Sequence, residues 1–536
     1  MPPPSPTTRP SEPRLRLPRT LPPADAARLA PLLACARNLG IGISGTRGIG
    51  KSQLLRLIAW LDFTSFETPT ILIDPVGATI DGILSLIPYY HPADQARLWS
   101  RVRYITCTPT THAVPLPLLT RFGIGRETIF DLAQRFPAAL GRLDPKLREA
   151  SQEGFNVLWE CATHGCALLA ALGYQVSELP SLLREPETWR GAFIAARQRC
   201  PEVADAVAFF ERDYLPLRPE QRRARTKSLL TKLTLFADPP TKAQFCADRS
   251  GLDWETLRRE RQLWLFDLRF EPPGESRQFK LLWLLLLLLD YIARYGAAHG
   301  GERGQPLSLI IDEVTALFAE GGASSRLLVA DLDGLINRLS RNYNIQITAS
   351  YQELFQLPSG LRQTLLSLGT QCFGRMTDWE TTEFVAKRYS DYDPDLEKSR
   401  TAIVRTWQGR PYSIGDRVET FSRAEQRSGT QDRLARLPTF HYLASVTTRE
   451  GEPPRPLQDL SIAPYAMRHF PPGAHLADLR DALSRRDGTP VATILAEIAR
   501  RGPVAVIPPA NPIHLDPAPF TDGPPPRMGV RRESAT

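Results

Sequence analysis

Residues 39–62 read LGIGISGTRGIGKSQLLRLIAWLD, and how this stretch divides decides the fold. Leu39 to Ile43 is a short apolar run of the kind that forms a buried strand. Gly45, four residues, Gly50, Lys51 and Ser52 follow, and Leu54 to Leu61 is apolar with a helical period. The pattern G-x-x-x-x-G-K-S between strand and helix reads as a phosphate loop. Its glycines let the backbone of Gly45, Thr46, Arg47, Gly48, Ile49 and Gly50 curl until N–H groups point at phosphate oxygens, at the positive end of the new helix. In this reading Lys51 reaches the β- and γ-phosphates and the Ser52 hydroxyl holds Mg²⁺.

A loop of this kind needs an acidic partner at the tip of a neighbouring strand. Residues 307–313, LSLIIDE, supply four apolar residues and then Asp312 and Glu313. Asp312 is the expected ligand of the Mg²⁺ shell, and Glu313 the residue that orients and deprotonates an attacking water. A further strand, Ile345 to Ala349, runs into Ser350, Tyr351 and Gln352, and a polar residue at such a tip can sense the γ-phosphate. Just before it, RLSRNYN places Arg338 and Arg341 near a helix end, where Arg341 is a candidate to reach a neighbouring subunit's nucleotide and equally suits a solvated helix terminus. Pro69 to Ile73 ends in Asp74-Pro75-Val76-Gly77, and Leu263 to Phe266 ends in Asp267. Strands alternating with helices imply a parallel sheet covered on both faces, with ligands at the carboxyl ends of its strands.

Residues 119–250 hold helical stretches and no convincing strand: Glu127 to Phe136, Pro145 to Gly173, Glu187 to Gln198, Val203 to Tyr214 and Leu229 to Phe236. They read as an all-α domain inserted between the two parts of an α/β domain, 25–118 and 251–450. Within it, 218–227 carries Arg218, Arg222, Arg223, Arg225 and Lys227 against Glu220. Such a run suits nucleic-acid phosphates, and it also suits a solvated helix face. Residues 451–502 read as a connector and a small helical module, with helices from Ala474 to Arg485 and from Pro490 to Arg500.

The chain has 536 residues, enough for two or three domains, and its 42% hydrophobic content excludes a wholly disordered polymer. Nine prolines fall in residues 1–24 and nine more in 503–536, so both ends read as disordered, the first as a basic arm without the apolar segment of a signal peptide. Seven scattered cysteines, an odd number, argue against a secreted disulfide framework. Cys161, His164 and Cys166 lack a second ligand pair at zinc-finger spacing. Leu281 to Leu289 is the one long apolar run, and nine residues fall short of the roughly 20 a membrane helix needs. It reads as a buried core helix, and the chain as soluble. The net charge of +8 rests on 58 arginines and eight lysines, a mild surplus that permits an anionic partner without demanding one.

The order of these pieces resembles the HerA/FtsK superfamily of DNA-pumping ATPases, in particular the type IV secretion coupling proteins of the TraD/TraG group. The resemblance is carried by GTRGIGKS (45–52), ILIDPVG (71–77), a helical insertion, LWLFDL and LLWLLLLLLDYIARY, then LSLIIDEV (307–314), SRNYNIQITASYQELFQL (340–357) and GTQCFGRMTDWETTEFVAKRY (369–389). It implies a P-loop RecA-like (ASCE) motor domain that hydrolyses ATP with Mg²⁺, in a homo-oligomeric, usually hexameric ring with DNA through its centre. Lys51 and Ser52 take the Walker A roles, Asp312 and Glu313 the Walker B roles, Gln352 that of the sensor and Arg341 that of the trans arginine. The expected function is DNA translocation in conjugative transfer, with a relaxase or secretion-system membrane components as partners. The expected place is the cytoplasm, with recruitment to the inner face of the membrane by those partners. The sequence departs from the coupling proteins in showing a proline-rich arm where they carry N-terminal membrane helices. Two alternatives stand beside this reading: a HerA-like DNA-processing motor in repair or defence, and a P-loop scaffold that uses ATP as a switch and never touches DNA.

Overall fold

A computed structural model describes residues 31–32, 35–122, 127–143, 152–269, 275–298, 305–317, 325–352, 354–357, 359–407, 410–462 and 475–501. The arm expected over 1–24 and the tail expected over 503–536 lie outside them. The strands in chain order are β1 (Ile41–Ser44), β2 (Thr70–Asp74), β3 (Val102–Thr106), β4 (His112–Ala113), β5 (Leu263–Asp267), β6 (Leu307–Ile311), β7 (Ile345–Tyr351) and β8 (Thr370–Phe373). They continue with β9 (Glu397–Trp407), β10 (Arg410–Thr420), β11 (His441–Val446), β12 (Gln458–Ser461) and β13 (Thr489–Pro490). Nine of them form one sheet in the order β12-β11-β8-β1-β7-β6-β2-β5-β3. All pairings from β8 to β3 are parallel, and β11 turns antiparallel to β8. The decisive feature is the place of β7. It lies between the strand that leads into the phosphate loop and the strand that ends at Asp312 and Glu313.

The five strands read from sequence are all present, shifted by a residue or two. β1 starts at Ile41 rather than Leu39 because Arg37–Leu39 forms a 3₁₀ turn that ends on Gly40 at φ 78°. Sequence reading did not find β3, β8, β11 or β12. Strand side chains point alternately to the two faces, and here each face is covered by helices. Ile71, Ile73, Trp264, Phe266, Leu309 and Ile311 belong to one core, and Leu72, Leu263, Leu265 and Ile310 to the other. The second core is closed by α1 (Lys51–Thr64), α2 (Ala78–Leu84) and α3 (Pro92–Arg101).

Between β4 and β5 the described residues are helical, including α4 (Ile129–Leu143), α5 (Gln152–Leu172) and α6 (Pro219–Leu233). The helix expected over Val203 to Tyr214 closes in a π-helical turn, Phe209–Tyr214. Among the described residues the helical segment shares its core with the sheet. Phe136, Leu168 and Phe210 join the sheet residues and the apolar run in α7 (Glu275–Ala298) in one continuous cluster. Among the described residues no single helix is long and apolar enough to cross a membrane.

Two further helices, α8 (Ser325–Gly334) and α9 (Ser340–Tyr343), precede β7. The helices of the small C-terminal module, α10 (Leu476–Asp487) and α11 (Val491–Ala499), pack against the main body. Leu479 and Leu483 are buried in the second core, Asp487 accepts from the Tyr104 amide at 3.0 Å, and β13 pairs with β4. This segment covers the β3 edge of the sheet, where unpaired strand groups would otherwise be exposed.

Candidate active site

All four residues of β1 are buried, which fixes where the following loop leaves the sheet. Gly45, Gly48 and Gly50 take φ of 150°, 82° and 102°, and Gly50 caps the start of α1. At Gly50 both conformation and space exclude a side chain, because a Cβ there would come within 2.4 Å of the Phe440 ring. Two hydrogen bonds staple the loop to the end of β8: Thr46 N–H to the Arg375 carbonyl and Gly374 N–H to the Ser44 carbonyl, each 2.8 Å. Ile49 is buried, whereas Arg47 and Gly48 face outward. Lys51 opens α1, and its Nζ donates to the carbonyls of Gly45 at 2.7 Å and Thr46 at 3.2 Å. The ammonium therefore spans the mouth of the loop.

Asp312 follows the last residue of β6 and is 3% exposed. Three hydroxyls converge on its carboxylate. Ser52 Oγ donates to Oδ2 at 3.0 Å, Thr79 Oγ1 to Oδ2 at 2.8 Å and Ser350 Oγ to Oδ1 at 2.6 Å. Adjacent ligands of an octahedral Mg²⁺ at 2.0–2.1 Å lie about 3 Å apart, so Ser52 Oγ and Asp312 Oδ2 have the chemistry and the spacing of such a pair. Glu313 stands beside them in a left-handed conformation, φ 50°, which costs on the order of 1–3 kcal/mol for a residue with a side chain. Its amide donates to Ser350 Oγ at 2.8 Å, and the Thr315 hydroxyl donates to its Oε1.

Asp74 organises the next strand tip. Its carboxylate accepts from the amides of Val76, Gly77, Thr79 and Ile80 at 2.6 to 3.1 Å, capping α2 and aiming Thr79 at Asp312. Burial, with the Asp312 charge behind it, pushes its carboxyl up to about 6 despite those four donors. One strand farther, Asp267 and Asp81 hold Arg269, whose Nη2 donates to the Gly77 carbonyl at 2.8 Å.

Lys51, Ser52, Asp312 and Glu313, up to 262 positions apart in sequence, thus meet at one edge of the sheet. Gln352, one residue past β7, is half-buried at the same edge. Arg341 is elsewhere: its backbone lies in α9, ahead of β7 and so at the opposite edge, and its side chain is outside the described residues. The 218–227 run lies mainly on α6. Arg222 turns inward, donating to the carbonyls of Leu215 and Leu217 and pairing with Glu187, while Arg223, Arg225 and Lys227 are exposed. Arg222, Arg223 and Lys227 line a cleft of about 770 Å³. Cys161, His164 and Cys166 sit on α5, the two thiols buried and the imidazole stacked on Phe209 at 4.6 Å. Sequence reading missed Thr79, and it noticed Ser350 without a role. A lone hydroxyl acquires one only when the strand order sets β7 against β6.

No family model matches the chain, and no curated protein matches it. Among solved structures it is similar to a bacterial conjugative coupling protein, TrwBdeltaN70, in its unbound monoclinic form, at 17% identity and a TM-score of 0.45, over 82% of this chain and 88% of that one. The plasmid coupling protein TrwB in complex with a non-hydrolysable ATP analogue gives 17% and 0.45 over 83% and 89%. VirB4 of Thermoanaerobacter pseudethanolicus gives 14% and 0.45 over 80% and 91%. The sheet order itself establishes an α/β P-loop fold, with the Gln352 strand between the phosphate-loop strand and the strand of Asp312 and Glu313.

Proposed function

We propose that the chain is a Mg²⁺-dependent ATP hydrolase that moves DNA, acting as a coupling-type motor in conjugative transfer. The observation that carries the hydrolase reading is the 3.0 Å contact between Ser52 Oγ and Asp312 Oδ2, with Lys51 and Glu313 beside it. Ser52 and Asp312 would hold the cation, which would supply charge neutralisation at the phosphate oxygens. Lys51 leaves the Gly45 and Thr46 carbonyls for those same oxygens and stabilises the charge that develops in the transition state. Glu313 orients a water in line with the γ-phosphorus and takes its proton, and Gln352 senses the γ-phosphate from the end of β7. The DNA-moving part is supported by the ordered set of motifs from GTRGIGKS to SRNYNIQITASYQ. A homo-oligomeric ring, a relaxase or secretion-system partner, and a cytoplasmic site at the inner face of the membrane belong to the same reading.

The test is ATP hydrolysis with and without single- and double-stranded DNA. Lys51→Ala is expected to lower kcat/KM about 10²–10³-fold, and Glu313→Gln to lower kcat about 10²–10⁴-fold. DNA is expected to raise the wild-type rate and to bind with a steep salt dependence. An ATPase indifferent to DNA, without salt-dependent DNA binding, overturns the motor and leaves an ATP switch.

A further inference from the structure

We propose that Phe440 is a stacking platform for the base of the bound nucleotide, a role that rests on the phosphate-loop reading above. β11 runs antiparallel to β8, with Leu443 beside Phe373 and Val446 beside Thr370. Its first residue, His441, therefore lies at the edge where β8 and β1 end, and Phe440 precedes it. β8 flanks β1 on one side, while β7 and then β6 lie on the other. A triphosphate in the loop, with its γ end at Asp312 and Glu313, points its base away from β6 and toward β8 and β11.

Phe440 is tied to the loop itself. Its amide donates to the Ile49 carbonyl at 2.9 Å, the Ile462 amide donates to its own carbonyl at 3.1 Å, and its ring lies in the space a Gly50 side chain would need. The backbone there is strained, at φ 69°, where a bulky aromatic residue is rare. Such strain persists only when surrounding contacts enforce it, and it collects at ligand sites. Yet the ring so placed is only half-buried. A partly exposed aromatic side chain, held against the last glycine of a phosphate loop on the side where the base emerges, offers the face on which a nucleobase stacks.

The experiment is titration calorimetry of the full chain with Mg-ATP and with Mg-tripolyphosphate, which keeps the phosphates and lacks the base. Phe440→Ala is expected to weaken ATP roughly five- to hundredfold, the range for losing one base–aromatic stack, and tripolyphosphate by less than about twofold. Phe440→Trp is expected to hold ATP within about threefold of wild type, since another aromatic face restores the stack. Unchanged tripolyphosphate binding by Phe440→Ala also shows that the variant is folded. ATP binding unaffected by Phe440→Ala overturns the platform, as does equal weakening of both ligands, which would make the ring a brace for the loop. Failure of the underlying reading looks different: Lys51→Ala then binds both ligands like wild type, or wild type binds neither.

Discussion

Ser350 is a small side chain with two partners at once. Its hydroxyl donates to the Asp312 carboxylate and accepts from the Glu313 amide, so the residue that fits the cation and the residue assigned to water share one anchor. That anchor offsets the left-handed strain at Glu313. Ser350→Ala removes a hydrogen bond to a charged group, an interaction of about 1.5–3 kcal/mol, and frees the Glu313 backbone to relax. We predict that kcat falls on the order of tenfold or more while KM for ATP stays within about twofold, and that Ser350→Thr, which keeps the hydroxyl, recovers most of the rate. Steady-state kinetics decide it: a rise in KM at constant kcat would mean that Ser350 serves nucleotide binding instead. At this scale Lys51, Ser52, Asp312 and Glu313 were legible because their chemistry needs contiguous motifs. Ser350, Thr79 and Phe440 were not, since each acts on a partner that only the strand order brings near.

Among the elements, the helical segment between β4 and β5 was legible from its lack of strand patterns, but its attachment to the sheet was not. α4 is fastened to α7 and α8 by ion pairs on either side of a cleft of about 570 Å³. Arg135 pairs with Asp290 of α7, and Arg142 grips Asp331 of α8 with both Nε and Nη2, the latter at 3.0 Å. The side chains of Arg142 and Asp331 are 23% and 18% exposed, which places the pair between a screened surface bridge and a buried one. Because α8 lies between Glu313 and β7, this contact ties the insertion to the crossover that leads from the tip of β6 back to the start of β7. A double-mutant cycle with Arg142→Ala and Asp331→Ala, read by chemical unfolding, is expected to give a coupling of about 1 kcal/mol. Strictly additive losses would show that the bridge contributes nothing. Strands β3, β8 and β11 escaped notice for a related reason. VRYIT, TQCF and HYLASV alternate too weakly to be read alone, and each becomes a strand because its neighbour offers a free edge.

For the whole molecule, the position of Arg341 turns a sequence motif into a statement about assembly. β7 has seven residues, so α9 at its start is about 20 Å from the phosphate-loop edge at its end. An arginine side chain cannot cover that span, and a role at its own chain's site is excluded by length alone. If Arg341 serves hydrolysis, it does so on a neighbouring subunit. In a head-to-tail ring each site is then completed by the next copy. Arg341→Ala subunits retain the phosphate loop and lack the arginine, while Lys51→Ala subunits lack the loop's lysine and retain the arginine. Each variant is expected to be inactive alone. Mixed in equal amounts, they form intact interfaces at about a quarter of the sites, and a corresponding fraction of the wild-type ATPase rate returns. Light scattering on the same mixture confirms that the subunits assemble. A mixture that assembles and remains inactive refutes a trans role for Arg341, and Arg341→Ala chains that hydrolyse ATP at the wild-type rate refute any role for it in the reaction.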